Sequence, residues 1–77
     1  MKLSIVSPKG NLFTGEVNRI SLPGVSGLFE VLPMHAPLIA ALQEGTICFE
    51  NAGKQTELPI QNGFVEIKND EISVCVE

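Results

Sequence analysis

The sequence predicts an all-β fold of about ten short strands in a flattened sandwich or barrel, with no long helix. Glycine or proline recurs so often before residue 64 that few intervals could hold a helix of three turns. Apolar and polar residues also alternate with period two, which is typical of strands with one buried face. Many short strands separated by turns favour a sandwich or barrel over an open sheet.

The first strand patterns lie in the N-terminal third of the chain. Leu3 and Ile5 alternate with a serine, and Ile20 and Leu22 do the same around Ser21. The glycines that follow lack the spacing of a phosphate-binding loop, and no helix follows them to supply a dipole. We interpret them as a turn between strands.

The only histidine, His35, stands between two prolines in Leu32–Leu38. Proline fixes φ and removes a backbone donor, so this stretch predicts a rigid loop that presents a surface. The overlapping segment Ala36–Leu42 would suit a short helix by composition, but Pro37 and Gly45 bracket it too closely for more than two turns. We interpret it as a loop that enters a buried strand.

A hairpin is predicted around Asn51–Lys54. If these four residues form the loop, Ile47 lies opposite Leu58 and Phe49 lies opposite Thr56. The preceding segment alternates Ile47 and Phe49 with polar neighbours and Cys48, which supports a strand there.

A second hairpin is predicted at the C-terminus. Asn69 and Asp70 tolerate the positive φ angles of a tight turn, and they separate the strand patterns Phe64–Lys68 and Glu71–Glu77. The resulting register pairs Ile67 with Ile72, Val65 with Val74, Lys68 with Glu71 and Phe64 with Cys75.

Composition excludes several classes of function. The 77 residues are expected to form one domain, residues 1–77, which is small enough for a partner to contribute to its stability. A net charge of −4 with five scattered basic residues argues against nucleic acid as a partner. No window is apolar enough to cross a bilayer and no signal peptide is apparent, so we expect a soluble chain that is not exported, with no direct membrane insertion.

No catalytic or metal site is predicted. A Ser/His/Asp arrangement has only His35 and Asp70 to draw on, and Asp70 falls in the predicted hairpin turn. A zinc site would need about four ligands, and His35, Cys48 and Cys75 lack the close pairing of structural zinc motifs. We expect no metal, no cofactor and two reduced thiols.

Apolar residues in two predicted loops indicate contact with another protein. Val25, Leu28 and Phe29 surround a glycine turn, and Met34 lies between Pro33 and His35. An alternative is that these side chains fold over the open end of the sandwich.

An ordered set of short motifs runs nearly from end to end of the chain. In chain order they are Phe13-Thr14-Gly15, Leu22-Pro23-Gly24, Gly27, Leu32-Pro33, His35-Ala36-Pro37-Leu38, Leu42, Gly45 and Gly63-Phe64-Val65-Glu66-Ile67. On these motifs the chain resembles the N-terminal β-sandwich domain of the epsilon subunit of F-type ATP synthases, which is called delta in mitochondria.

The resemblance implies a non-catalytic subunit of the rotating central stalk. Its partners would be the gamma subunit and the ring of c subunits, with the catalytic head reached indirectly. It would couple rotation of the ring to the gamma shaft during ion-driven ATP synthesis, as a peripheral component at the cytoplasmic face of the bacterial inner membrane.

The resemblance also implies contact residues. Leu28, Glu30 and Met34 would contact the c ring, and the gamma contacts would be His35, Leu38 and Leu42. Glu30 and Met34 stand where the family commonly has glycine, which predicts a stiffer and bulkier loop here. The sequence ends at Glu77, without the two C-terminal helices of most family members, so their inhibitory and nucleotide-sensing roles are not carried over.

Two other function classes remain open from the residues alone. A free-standing small-ligand or carbohydrate-binding β-domain would use the Pro33–Pro37 loop as one lip of a pocket, although Trp and Tyr are absent. An enzyme would need His35 to be held by a carboxylate.

Overall fold

The computed structural model describes residues 1–77 and contains nine strands and no helix. The strands are β1 Lys2–Ser7, β2 Gly10–Glu16, β3 Arg19–Gly24, β4 Gly27–Val31, β5 Leu38–Leu42, β6 Gly45–Asn51, β7 Lys54–Ile60, β8 Gly63–Lys68 and β9 Glu71–Val76. The predicted all-β fold is confirmed, with nine strands rather than about ten.

The strands form one hydrogen-bonded sheet in the order β2-β1-β9-β8-β5-β3-β6-β7, and β4 pairs with the free side of β3. Only the β1–β9 pair is parallel. The sheet divides into two layers, β2-β1-β9-β8-β5 and β4-β3-β6-β7, which join where Leu42 of β5 pairs with Gly24 of β3. The sheet therefore curls back on itself, as a flattened sandwich requires.

The inner faces of both layers share one core of 16 buried apolar residues. Both layers contribute: Leu3, Ile5, Val65, Ile67, Ile72, Val74 and Val76 come from one, and Ile20, Leu22, Val31, Ile47, Phe49 and Ile60 come from the other. Burying each large aliphatic side chain contributes about 1.5–3 kcal/mol. Strand β9 shows the period-two rule directly, because every second residue is buried.

The predicted C-terminal hairpin is confirmed. The four predicted residue pairs are present between β8 and β9. Asn69 and Asp70 form the two-residue turn with φ values of 54° and 60°. Positive φ at both positions is the signature of a type I′ turn, whose twist matches the two strands.

The register predicted for the β6–β7 hairpin is confirmed, but its loop is shorter than predicted. Ile47 pairs with Leu58 and Phe49 pairs with Thr56. Asn51 and Lys54 also pair, which leaves only residues 52 and 53 in the loop, both with positive φ. The four-residue loop was wrong because an alanine adopts the left-handed conformation that a two-residue turn needs.

The predicted strand after His35 is present, but it is not buried on both faces. In β5, Leu42 is buried and Leu38 is half-buried, whereas Ile39 and Ala41 are exposed. Strand β5 pairs along its length with β8 and covers the core on one face. The prediction of a buried strand was wrong because no element covers the outer face of this layer.

Candidate functional site

The outer face of the β5-β8-β9-β1 layer carries aligned apolar side chains. Phe64 pairs with Ala41 on β5 and with Cys75 on β9, and Cys75 pairs with Val6 on β1. Paired residues on neighbouring strands project to the same face. Ile39 lies two residues from Ala41 and projects to the same face. What we call the apolar row consists of Val6, Ile39, Ala41, Phe64 and Cys75.

The apolar row is exposed to an extent unusual for large side chains in a sheet. Ile39 is 72% exposed and Phe64 is 63% exposed. The next residues along the same face are polar or charged, including Glu66, Ser73 and Lys68. The layer thus has an apolar end beside a polar remainder, and this pattern is typical of a protein-binding surface.

One shallow groove lies within the apolar row and another lies beside it. A groove of about 280 Å³ lies between Ile39 and Phe64. A larger groove of about 550 Å³ lies between β5 and the β3–β4 turn, where Val25, Phe29 and Ile39 are among its lining residues. Since Ile39 borders both grooves, the row and the β3–β4 turn form one continuous apolar surface.

Of the predicted c-ring residues, the structure places Leu28 and Glu30 together and Met34 elsewhere. Leu28 is 74% exposed, and it lies two residues from Glu30 on β4, so both side chains project to one face about 7 Å apart. Met34 is 85% exposed and lies on the loop after β4. Its amide bonds to Asp70 in the β8–β9 turn, with N and Oδ1 3.0 Å apart.

Glu30 belongs to an ion-pair network across three strands. Nη1 of Arg19 donates to Oε2 of Glu30 at 3.0 Å, and its Nε donates to Oε1 of Glu50 at 3.2 Å. These hydrogen bonds, first that to Glu30 and then that to Glu50, raise the pKa of the Arg19 guanidinium above its ordinary value. Strand alternation directs Glu30 outward at the edge strand β4, and Arg19 pairs with its exposed carboxylate there.

The predicted gamma residues are less exposed. His35 is half-buried, and Nδ1 lies 2.6 Å from the carbonyl oxygen of Ala36, which requires the proton to be on Nδ1. Leu38 is half-buried and packs against the core. Leu42 is only 3% exposed, so its side chain supports the surface from within and offers little area to a partner.

The two most exposed large side chains of the apolar row, Ile39 and Phe64, were not predicted as contact residues from the sequence. Both occupy the outward phase of their strands, opposite to the buried Leu42 and Val65. Glu66 and Lys68 define a polar phase in β8, and a large apolar residue in that phase is the sequence feature that could have found Phe64. Ile39 lies in the all-apolar run Leu38–Leu42, which has no polar phase to mark it.

The titratable side chains do not assemble into a reactive site. The ring of His35 has a backbone carbonyl as its partner, and Asp70 accepts from the Met34 amide instead of from the histidine. No three His, Cys, Asp or Glu side chains are grouped as metal ligands. Cys48 and Cys75 are free thiols. What the arrangement offers chemically is a contact surface.

A family model described as the β-sandwich domain of the ATP synthase Delta/Epsilon chain matches residues 1–77. The chain belongs to this Delta/Epsilon family. The resemblance read from the sequence motifs is thereby confirmed over the whole chain.

Curated relatives in the Delta/Epsilon family are similar over the same residues. The ATP synthase epsilon chain of Leptospira interrogans is 40% identical over 77 residues, covering 100% of this chain and 61% of its own length. That of Wolinella succinogenes is 45% identical over 76 residues, covering 99% of this chain and 57% of its own. The chain thus spans about three fifths of the length of the curated relatives it matches.

Solved structures support the Delta/Epsilon fold. A chain in the central stalk and c-ring structure of the Tetrahymena thermophila mitochondrial ATP synthase superposes with a TM-score of 0.84 at 10% identity, covering 97% of this chain and 61% of that one. A chain of the Euglena gracilis mitochondrial ATP synthase gives 0.89 at 21% identity, covering 96% and 48%. At such identities the likeness shows the fold alone. The structure has no helix of the length and apolarity that crossing a membrane would take.

Proposed function

We propose that this chain acts as a non-catalytic central-stalk subunit of an F-type ATP synthase, coupling rotation of the c ring to the gamma shaft. The observation that carries the proposal is the family match over residues 1–77, together with the uncovered apolar row on the outer face. A coupling subunit needs area and stiffness rather than a reactive centre, and a closely packed β-domain supplies both.

The apolar row is the proposed gamma-binding surface. Ile39 and Phe64 are large, exposed and supported from behind by a rigid core, as binding hot spots are. The sequence suggested His35 and Leu38 for the same partner; His35 lies three residues before β5, and Leu38 is the first residue of that strand. Leu42 would act only as a support beneath this surface.

The proposed c-ring contact lies at the β4 edge and the loop that follows. Leu28 supplies an exposed apolar side chain and Glu30 supplies a carboxylate paired with Arg19. Met34 would contribute from the adjacent loop. The complex would sit at the cytoplasmic face of the bacterial inner membrane as a peripheral component, without inserting into the bilayer.

Co-elution with the cognate gamma subunit tests the proposal. At micromolar concentrations the two proteins should elute as a one-to-one complex on size exclusion, and should bury roughly 1,200 Å² or more of total surface. Separate elution at these concentrations would argue against a stalk role. A vesicle assay of ion-driven ATP synthesis, with and without the chain, then measures the coupling itself.

The ligand-binding alternative has no comparable support. Its pocket was expected beside the Pro33–Pro37 loop, but residues 33–37 line none of the four main grooves. No specific observation favours this second function.

A further inference from the structure

The loop that carries Met34 and His35 has an unusual backbone. Met34 has a φ of 69°, and it is the only residue other than glycine with positive φ that lies outside the two-residue hairpin turns. With Pro33 before it, the positive φ matches a type II turn, in which this position is normally glycine or asparagine. A side chain in the left-handed region costs about 1–2 kcal/mol, so the surroundings must stabilise this conformation.

The stabilising contact comes from the other end of the sequence. The Met34 amide donates to Oδ1 of Asp70 at 3.0 Å, across a separation of 36 residues. Of the side-chain hydrogen bonds in the structure, this one alone ties residues 32–37 to another strand or turn. The remaining loop hydrogen bond, from His35 to the carbonyl of Ala36, is local and does not anchor the loop to the sheet.

Asp70 is itself held firmly in place. It is the second residue of the type I′ turn between β8 and β9, and its own carbonyl accepts from the Lys2 amide at 3.1 Å. Oδ2 lies 3.8 Å from the N-terminal amine of Met1. The carboxylate thus projects from a turn that is hydrogen-bonded to β1, so it can hold the loop in one position.

We propose that Asp70 is a positioning residue for partner binding, which holds the Pro33–Pro37 loop in the conformation that presents Met34 and His35. This positioning role rests on the proposed function, because Met34 and His35 in this loop are among the partner contacts proposed there. Without the hydrogen bond from the Met34 amide to Asp70, the turn would populate other backbone conformations. The apparent affinity for the partner would then fall in proportion to the fraction of molecules that keep the binding-competent conformation.

The hairpin turn offers a variant that separates this role from folding. Asp70→Gly creates Asn-Gly, the preferred pair for a type I′ turn, and it deletes the acceptor. Asp70→Asn keeps an acceptor oxygen and tolerates positive φ, while it removes the charge. The better turn residue offsets the loss of the two carboxylate contacts, so the thermal midpoint of Asp70→Gly should stay close to that of the wild type. A change in the loop at an unchanged midpoint is then not a folding defect.

Two readouts test the assignment. In Asp70→Gly, solvent exchange of the Met34 amide measured by NMR should rise about tenfold, and the affinity for the cognate gamma subunit should fall about fivefold. Asp70→Asn should stay close to wild type in both. The assignment would be overturned if the Met34 amide of Asp70→Gly exchanged at the wild-type rate, or if it exchanged faster while the affinity for gamma stayed unchanged. An Asp70→Asn variant as impaired as Asp70→Gly would also overturn it.

The two proposals fail differently. If the wild-type chain does not bind gamma at all, the stalk proposal fails, and the exchange measurement still decides whether Asp70 orders the loop. If the wild type binds and Asp70→Gly binds equally well, the stalk proposal stands and the positioning role of Asp70 is excluded.

Discussion

Phe13 on β2 and Phe49 on β6 lie with their ring centroids 4.5 Å apart and their planes tilted by 50°. The two strands belong to different layers of the sandwich, so this aromatic pair closes the layers where no backbone ladder joins them. A second link lies beside it, because Nδ2 of Asn51 donates to the carbonyl oxygen of Glu16 at 2.7 Å.

The first prediction concerns this closure. Phe49 is buried in the core, whereas Phe13 is half-buried, so Phe49→Ala should lower the free energy of unfolding by about 3–5 kcal/mol and Phe13→Ala by less. In a domain this small the larger loss could abolish the unfolding transition. Urea titration measures both, with Leu12→Ala on the exposed side of β2 as a control expected to change stability by about 0.5 kcal/mol or less. A cost below about 1 kcal/mol for Phe49→Ala would contradict the packing argument.

The second prediction concerns the apolar row. Ile39→Lys and Phe64→Lys should each weaken binding of the cognate gamma subunit more than about tenfold, because each places a charge in a desolvated contact. Both side chains are exposed in the free chain, so its thermal midpoint should move little. Titration calorimetry measures the affinity. Leu12→Lys is the matched control, since Leu12 is an exposed apolar residue on β2 outside the row. Wild-type affinity in Ile39→Lys and Phe64→Lys would show that gamma binds elsewhere.

The third prediction concerns Gly63, at the start of β8. A methyl group there would overlap the carbonyl oxygen of Cys75 on β9. The nearest atoms all belong to the backbone of β9, so no flexible side chain can move aside. Gly63→Ala should therefore destabilise the chain by about 1–3 kcal/mol or more. Chemical denaturation measures the loss. Gly15→Ala is a milder comparison because its added methyl would meet only side-chain atoms of Phe13 and Asn51. A Gly63→Ala variant as stable as the wild type would refute the steric explanation.

The fourth prediction concerns the pH and salt dependence of the Arg19 network. The folded-state pKa of Arg19 lies above its unfolded value. The stability that Arg19 contributes is therefore fully present below its unfolded pKa and is lost only at extreme alkaline pH. The difference in thermal midpoint between wild type and Arg19→Gln should thus be small and equal at about pH 7 and about pH 9. It should shrink in about 1 M salt, where screening acts over roughly 3 Å. A difference that disappears between those two pH values would contradict this assignment.

The features of this fold that local interactions decide could be predicted from the sequence. The β8–β9 register could be predicted because a two-residue turn fixes every pair that follows. The β6–β7 register was also correct, although the loop is shorter, since both loop lengths give the same pairing. The exposure of Ile39 could not be predicted, because it depends on whether another layer covers the outer face of β5.

The sequence by itself determined the all-β fold, the hairpin registers and family membership, since turn residues and period-two alternation act over a few neighbouring positions. Only the tertiary structure decided that Leu42 is buried while Ile39 and Phe64 are exposed, and that Asp70 bonds to the Met34 amide. The physical reason is that burial and long-range hydrogen bonds depend on which strands become neighbours. That arrangement follows from the closure of the whole sheet around one shared core.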